Sequence, residues 1–163
     1  DVYGLAKLMG GKKRFIDKLQ MVFDEGLYDP ANEPDIAYPY LFSYFKGEEW
    51  RTQKETQRLL DKYFTTKPDG IPGNDDTGTM SSCFYPDCPG LPEYTLTTPV
   101  FDKVTIRLDP KWYKEKELVI ESNRAQPGTL YINKVLLNGK KFNKYRITHD
   151  ELVHGQHIYF DLE

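Results

Sequence analysis

The chain has 163 residues, enough for one domain or two small ones, and its 12 Tyr, 9 Phe and 2 Trp can fill a packed core, which argues against disorder. The net charge is -3 with both signs interspersed, so there is no basic field for a phosphate backbone and nucleic acid is set aside. No apolar run approaches the roughly 18 residues of a membrane span.

The opening "DVYGLAKLMGG" lacks a charged start followed by an apolar stretch, so no signal peptide is visible. A mature chain would lack one too, which leaves the compartment open. Residues 1–64 read as helical. Residues 12–26 place Phe15, Ile16, Leu19, Val22 and Phe23 at three- and four-residue spacing, with Gly26 as the stop. Residues 35–47 carry Ile36, Tyr40, Leu41, Tyr44 and Phe45 at helical spacing, with Pro39 near the first turn. Residues 48–64 carry Trp50, Leu59, Leu60 and Tyr63, with Arg51 and Glu55 as an expected surface pair. Short glycine-containing links between them predict antiparallel helix hairpins.

After Phe64 the texture changes. Residues 65–92 hold five of the 11 prolines together with several glycines, which is loop chemistry. A loop of that length in a compact domain is often functional. Within it, Cys83 and Cys88 are five apart; they suit either free thiols or a disulfide on a loop that doubles back.

From Glu93 onward the pattern is strand-like. Val100, Val104, Ile106 and Leu108 share one parity, 117–122 is a short apolar run, and 157–163 ends the chain as a strand. Asn138-Gly139 within 129–142 predicts a hairpin turn. Thr148 and Glu151 form a capping-box signature for a short helical turn. The expected fold is therefore α+β, with an antiparallel sheet or sandwich over 93–163.

Two acidic turns could carry chemistry. "DPANEPDIAYPY" groups Asp29, Asn32, Glu33 and Asp35, and "GIPGNDDTGTMSS" groups Asn74, Asp75 and Asp76. Taken alone, Glu33 and Asp35 suit helix capping and dipole complement, and Asp75 and Asp76 suit an Asx-stabilised turn. Taken together they suggest more. The helical hairpin 34–64 lies between the two turns and returns the chain towards its start, so Glu33 and Asp76 can share one mouth. Carboxylate, amide and carbonyl oxygens suit a hard cation such as calcium, and a carboxylate beside it can serve as general base to a water. The spacing is not that of an EF-hand, and no P-loop or G-x-S-x-G is present. His149, His154 and His157 read as surface or structural residues, without partners for a zinc site.

Several segments in order, "LMGGKKRFIDKL", "ANEPDIAYPYLFSYFKGEEWRTQ", "KPDGIPGNDDTGTMSS", "FYPDCPG", "PVFDKVTI" and "VLLNGKKFNKYRITHDELVHGQHIYFDL", give the sequence a family likeness. It resembles the C-terminal part of the glycoside hydrolase family 92 enzymes, calcium-dependent exo-acting α-mannosidases of bacteria, over nearly the whole chain. The resemblance implies that residues 1–92 are the last helices and active-site loops of an (α/α)6 catalytic barrel. Residues 93–163 would be the β-rich C-terminal region. It implies inversion at the anomeric carbon, with calcium on the mannose O2 and O3 hydroxyls and helping to draw the ring towards an oxocarbenium-like shape. The "NEP" turn resembles the calcium turn, which makes Glu33 the leading metal ligand with Asn32 beside it. The "GNDD" turn resembles the general-base turn. Asp76 is then the first choice to activate water, followed by Asp75, with Asn74 contacting substrate. Inversion needs about 6.5–9.5 Å between acid and base. The implied partners are α-mannoside glycans and the rest of the same polypeptide, an N-terminal β-sandwich and upstream barrel helices. The implied location is periplasmic or secreted.

The sequence departs from the family pattern twice. The family's general acid is a glutamate upstream of "LMGG", and no residue here matches it, so the chain is expected to be a fragment that is inactive alone. Family members also continue "MSS" into an apolar helix, whereas Ser82 here meets Cys83. Either the helix is lacking or two segments adjoin across residues not shown. The second is favoured, because losing a barrel helix would expose core at a cost of several kcal/mol. A rival expectation is a calcium-dependent carbohydrate-binding or structural module without catalysis.

Overall fold

The structure is a computed structural model and describes residues 1–73, 93–124 and 128–163, without the Glu33 side chain. The chain divides into two compact units, Asp1–Pro89 and Gly90–Glu163. The first holds α1 (Val2–Leu8), α2 (Lys12–Asp24), a 3₁₀-helix (Glu33–Tyr44) and α3 (Glu49–Tyr63). The second holds strands β1 (Glu93–Thr95), β2 (Lys103–Arg107), β3 (Glu117–Arg124), β4 (Ile132–Leu137), β5 (Lys140–Phe142), β6 (Arg146–Thr148) and β7 (His157–Leu162), with helix α4 (His149–His154) between the last two.

In α2 the predicted spacing is realised. Phe15, Ile16, Leu19 and Phe23 are buried and Val22 packs at the edge of their cluster. The helix stops at Gly26: Leu27 N–H donates to Val22 O at 2.9 Å and Gly26 N–H to Phe23 O at 3.3 Å. These two bonds form a Schellman motif that satisfies the last carbonyls.

The segment predicted as an ordinary helix over 35–47 is instead 3₁₀ and starts two residues earlier. Pro34 sits in its first turn and Pro39 in its interior. Pro39 has no N–H to give, and in an α-helix its ring would strike the carbonyl of Asp35. A 3₁₀ run of 12 residues is unusually long. Its three-residue period puts Pro39, Phe42 and Phe45 in one row, all buried, with Phe42 wholly so. The 3.6-residue spacing had passed over Phe42 and counted Ile36 and Leu41, which are only half-buried.

Helix α3 differs from expectation more sharply. Trp50 is largely exposed, with the Arg51 guanidinium 4.5 Å above its ring. The inward stripe is Thr52, Glu55, Thr56 and Leu59, which follow the i, i+3, i+4, i+7 spacing of a buried face. Glu55 is wholly buried, so the expected Arg51–Glu55 surface pair does not form. Arg51 pairs with Glu48 at 2.9 Å and donates to Gln20 Oε1 at 2.8 Å. Glu55 accepts from Gln20 Nε2 at 3.0 Å and pairs with Arg58 at 3.1 Å. This network ties α3 to α2 where apolar contact is thin.

In the second unit β1 and β6 form a two-stranded sheet, and five strands form a sheet in the order β2-β3-β7-β4-β5. The antiparallel expectation fails at one pairing: β3 and β7 run parallel, from Val119 beside His157 to Arg124 beside Leu162. Parallel neighbours need a long crossover, and the β4–β5 hairpin, β6 and α4 provide it. β7 alternates, burying Ile158, Phe160 and Leu162 against Leu118, Ile132 and Val135. β2 is a charged edge strand, so the even parity there buries little: Val100 and Ile106 are exposed. Asn138 and Gly139 both take positive φ, 50° and 75°, the type I′ hairpin geometry between β4 and β5. Thr148 caps α4: its hydroxyl accepts from Glu151 N at 3.1 Å while Glu151 Oε2 accepts from Thr148 N at 3.0 Å.

Lys144 bonds Glu151 at 2.8 Å and, with the Thr148 N–H, holds its carboxyl below the usual 4.5, against a smaller upward push from burial. A carboxylate depressed on folding stabilises above its unfolded pKa, and that stabilisation fades as pH falls through the lower folded value. Glu151→Gln should therefore lower the melting temperature at neutral pH and leave the variant and wild type converging in acid, below the folded pKa. Melting curves across that range check this. Glu55→Ala should cost about 1–3 kcal/mol in urea unfolding, because Gln20 and half-exposed Arg58 lose their acceptor.

Candidate functional site

The first acidic turn is built by its own side chains. Asp29 Oδ1 accepts from Ala31 N at 2.9 Å, an Asx turn. Asp35, three residues into the 3₁₀-helix, folds back across the turn. Its Oδ2 accepts from Asp29 N at 3.1 Å and its Oδ1 from Asn32 Nδ2 at 3.4 Å. Asn32 occupies the N-cap position, yet its side chain caps nothing. It is exposed, and its amide meets Asp35 through the nitrogen rather than the oxygen. Glu33 is the first residue of the 3₁₀-helix.

The chain returns to this turn after α3. Residues 65–70 close a small loop through Thr65 N to Gly70 O and Gly70 N to Lys67 O, both 2.9 Å. Gly73 then lies directly against Ala31: a Cβ there would sit 2.9 Å from Ala31 Cα, Cβ and O. Its φ of +69° adds a second reason for glycine. The residue before Asn74 is thus in backbone contact with the residue before Asn32. Asn74, Asp75 and Asp76 themselves, and both cysteines, lie outside the described residues.

The two turns also differ from the sequence reading in one respect. Asp35 was expected to cap the helix and complement its dipole; it is also buried and bridges the ends of the turn. The signal available in sequence was an acid at the third helical position, where a side chain reaches back over the N-terminus.

The oxygen-only donors at this turn fit a hard cation in kind. The exposed Asn32 amide oxygen is one, and Glu33 would be the anionic one. No three His, Cys, Asp or Glu side chains converge on a metal position among the described residues. The three histidines have partners of their own within the second unit. Tyr94 OH meets His149 Nδ1 at 2.8 Å, His154 meets Asp150 at 3.2 Å, and His157 meets Glu121 at 3.1 Å. No helix of the described residues is long and apolar enough to cross a membrane.

The family model described as the glycosyl hydrolase family 92 catalytic domain matches residues 1–163. The chain belongs to glycosyl hydrolase family 92. Among solved structures, a family GH92 alpha-mannosidase from Bacteroides thetaiotaomicron is 28% identical with a TM-score of 0.82, over 99% of this chain and 23% of that one. A family GH92 inverting mannosidase from Bacteroides thetaiotaomicron VPI-5482 is 29% identical with a TM-score of 0.81, over 100% of this chain and 26% of that one. An uncharacterized secreted glycosidase of the fungus Arthroderma benhamiae is 27% identical over 95% of this chain. The chain spans only 21% of that relative's length.

Gly73→Ala should cost about 1–3 kcal/mol from φ strain alone, with more from the clash with Ala31. In a full-length enzyme it should lower the melting temperature and depress glycosidase activity beyond what the remaining folded fraction explains. Activity per folded molecule equal to wild type would show that the contact does not serve the site.

Proposed function

We propose that this chain is the C-terminal part of an inverting, calcium-dependent exo-α-mannosidase that trims α-mannosides from glycans. The observation that carries the reading is the contact of Gly73 with Ala31: the residues just before Asn74 and just before Asn32 touch, and the stretches they lead into resemble the family's base and calcium turns. The four helical segments of the first unit then belong to an (α/α)6 barrel completed by the rest of the polypeptide. Secretion agrees with the Arthroderma benhamiae relative, which is named a secreted glycosidase.

In this reading Asn32 and Glu33 hold calcium through oxygen. Bound calcium supplies an electrophilic anchor for two adjacent sugar hydroxyls, O2 and O3. Asp76 accepts a proton from the attacking water, with Asp75 next to it, and Asn74 orients the sugar. Attack opposite the leaving group inverts the anomeric carbon, and about 6.5–9.5 Å between base and acid leaves room for the water. The acid comes from the upstream polypeptide, so the isolated 163-residue chain has no turnover of its own.

In the full-length enzyme acting on an aryl α-mannoside, Asp76→Asn should lower kcat by about 10²–10⁴-fold, the usual worth of a general base. Glu33→Ala or a chelator should abolish activity, and calcium should restore the chelated wild type. Proton NMR of the first product should show β-mannose. First-formed α-mannose, or full activity in both variants, would overturn the reading. Enzyme-like turnover by the isolated chain would overturn the claim that its acid lies elsewhere.

A further inference from the structure

Asp35 is a buried carboxylate, 9% exposed, and no Lys, Arg or His side chain pairs with it among the described residues. Residues 74–92 and 125–127 contain none of those three types, so this chain offers it no other cationic side chain. A buried carboxylate is ordinarily matched by a cation, a metal or several donors. Asp35 has two neutral donors, Asp29 N and Asn32 Nδ2, with the positive end of the 3₁₀-helix beside it.

The two bonds have separate consequences. The bond to Asp29 N closes the turn. The bond to Asn32 Nδ2 decides which end of an exposed amide faces out. An amide has an acceptor end and a donor end, and a carboxylate neighbour can only take the donor end. With the nitrogen committed to Asp35, the acceptor end is the one left for another partner, and it is the end a cation needs.

We propose that Asp35 is a positioning residue that fixes the Asn32 amide with its oxygen outward, towards calcium. This rests on the calcium reading above. Ligating groups are commonly held by such outer partners, whose loss costs about 10–100-fold in metal affinity.

The variant that separates turn closure from amide orientation is Asp35→Asn. Its side-chain oxygen can still accept from Asp29 N. Its nitrogen then faces Asn32, which must flip and present its own nitrogen outward. The experiment is calorimetric titration of calcium into the chelator-stripped full-length enzyme, with melting temperature in chelator measured alongside. Asp35→Asn should melt as wild type in chelator, bind calcium about 10–100-fold more weakly, and recover kcat at saturating calcium. In an Asn32→Ala background the same substitution should cause no further loss of affinity, because the residue it acts through is gone. Wild-type affinity in Asp35→Asn would overturn the proposal and leave the calcium reading standing, as would an undiminished loss in the Asn32→Ala background. A wild type that binds no calcium would overturn both. If Asp35→Asn does not fold, Asp35→Ser keeps an acceptor for Asp29 N and lacks the reach to Asn32. It should show the same weakened binding, and unchanged affinity there would overturn the proposal.

Discussion

The helical unit depends on a backbone contact that only a glycine permits. Gly73 lies so close to Ala31 that any side chain would overlap it, and its φ of +69° suits no other residue well. Forty-two positions of chain separate these two residues, occupied by the 3₁₀-helix, α3 and the small loop closed at Thr65 and Gly70. Each of these elements is therefore held to a length and direction that bring residue 73 back to residue 31. Exposed acidic turns are common and often only cap helices. The contact sets the residue that precedes the second acidic stretch against the first acidic turn.

What fixes that length is partly the 3₁₀ geometry. A 3₁₀-helix rises about 2.0 Å per residue against 1.5 Å in an α-helix. Twelve residues thus reach about 24 Å rather than about 18 Å. Pro39 enforces the choice by removing the donor an α-helix would need, and the row Pro39, Phe42 and Phe45 buries the face that results. α3 lies along this rod, and the Glu55 network ties it to α2 on the other side. Tyr3 on α1 closes the set, donating to Tyr44 O at 2.9 Å with its ring edge-on to Tyr44 and Phe45. Such aromatic contacts add to what burial contributes.

Elements whose cause is local were legible in the sequence. The Phe15–Phe23 spacing of α2, its stop at Gly26, the Asn138-Gly139 turn and the Thr148–Glu151 cap each depend on residues within one or two turns. Elements decided at a distance were not. A 3.6-residue count over 35–47 found enough apolar residues to look satisfied, because Tyr38, Tyr40, Phe42, Tyr44 and Phe45 crowd one short stretch. Glu55 looked like a surface acid because its partners, Gln20 and the packing of α3, lie on other elements. β7 was legible as a strand but not as the parallel neighbour of β3, since register and order come from the crossover. At the site, the two stretches could be read as acidic motifs, and the return of the chain to the first turn at Gly73 inferred from a hairpin. The Gly73–Ala31 contact and the inward reach of Asp35 needed three dimensions.

The helical unit buries two carboxylates, and their surroundings distinguish structure from chemistry. Glu55 has Arg58 at 3.1 Å, Lys54 at 3.8 Å and the Gln20 amide at 3.0 Å. It has two cationic neighbours, and its bond to Gln20 joins two helices. Among the described residues Asp35 has no cationic partner, and its two N–H donors belong to the turn it closes. Were Asp35 there for stability alone, a neutral acceptor would close the turn without the cost of desolvating a carboxylate. A neutral acceptor with its own donor would, however, release Asn32 to turn either way. The carboxylate offers acceptors only, and that one-sidedness imposes a single orientation on the amide. The less favourable group is the more informative one: at this turn, orientation of an exposed oxygen outweighs the last increment of fold stability.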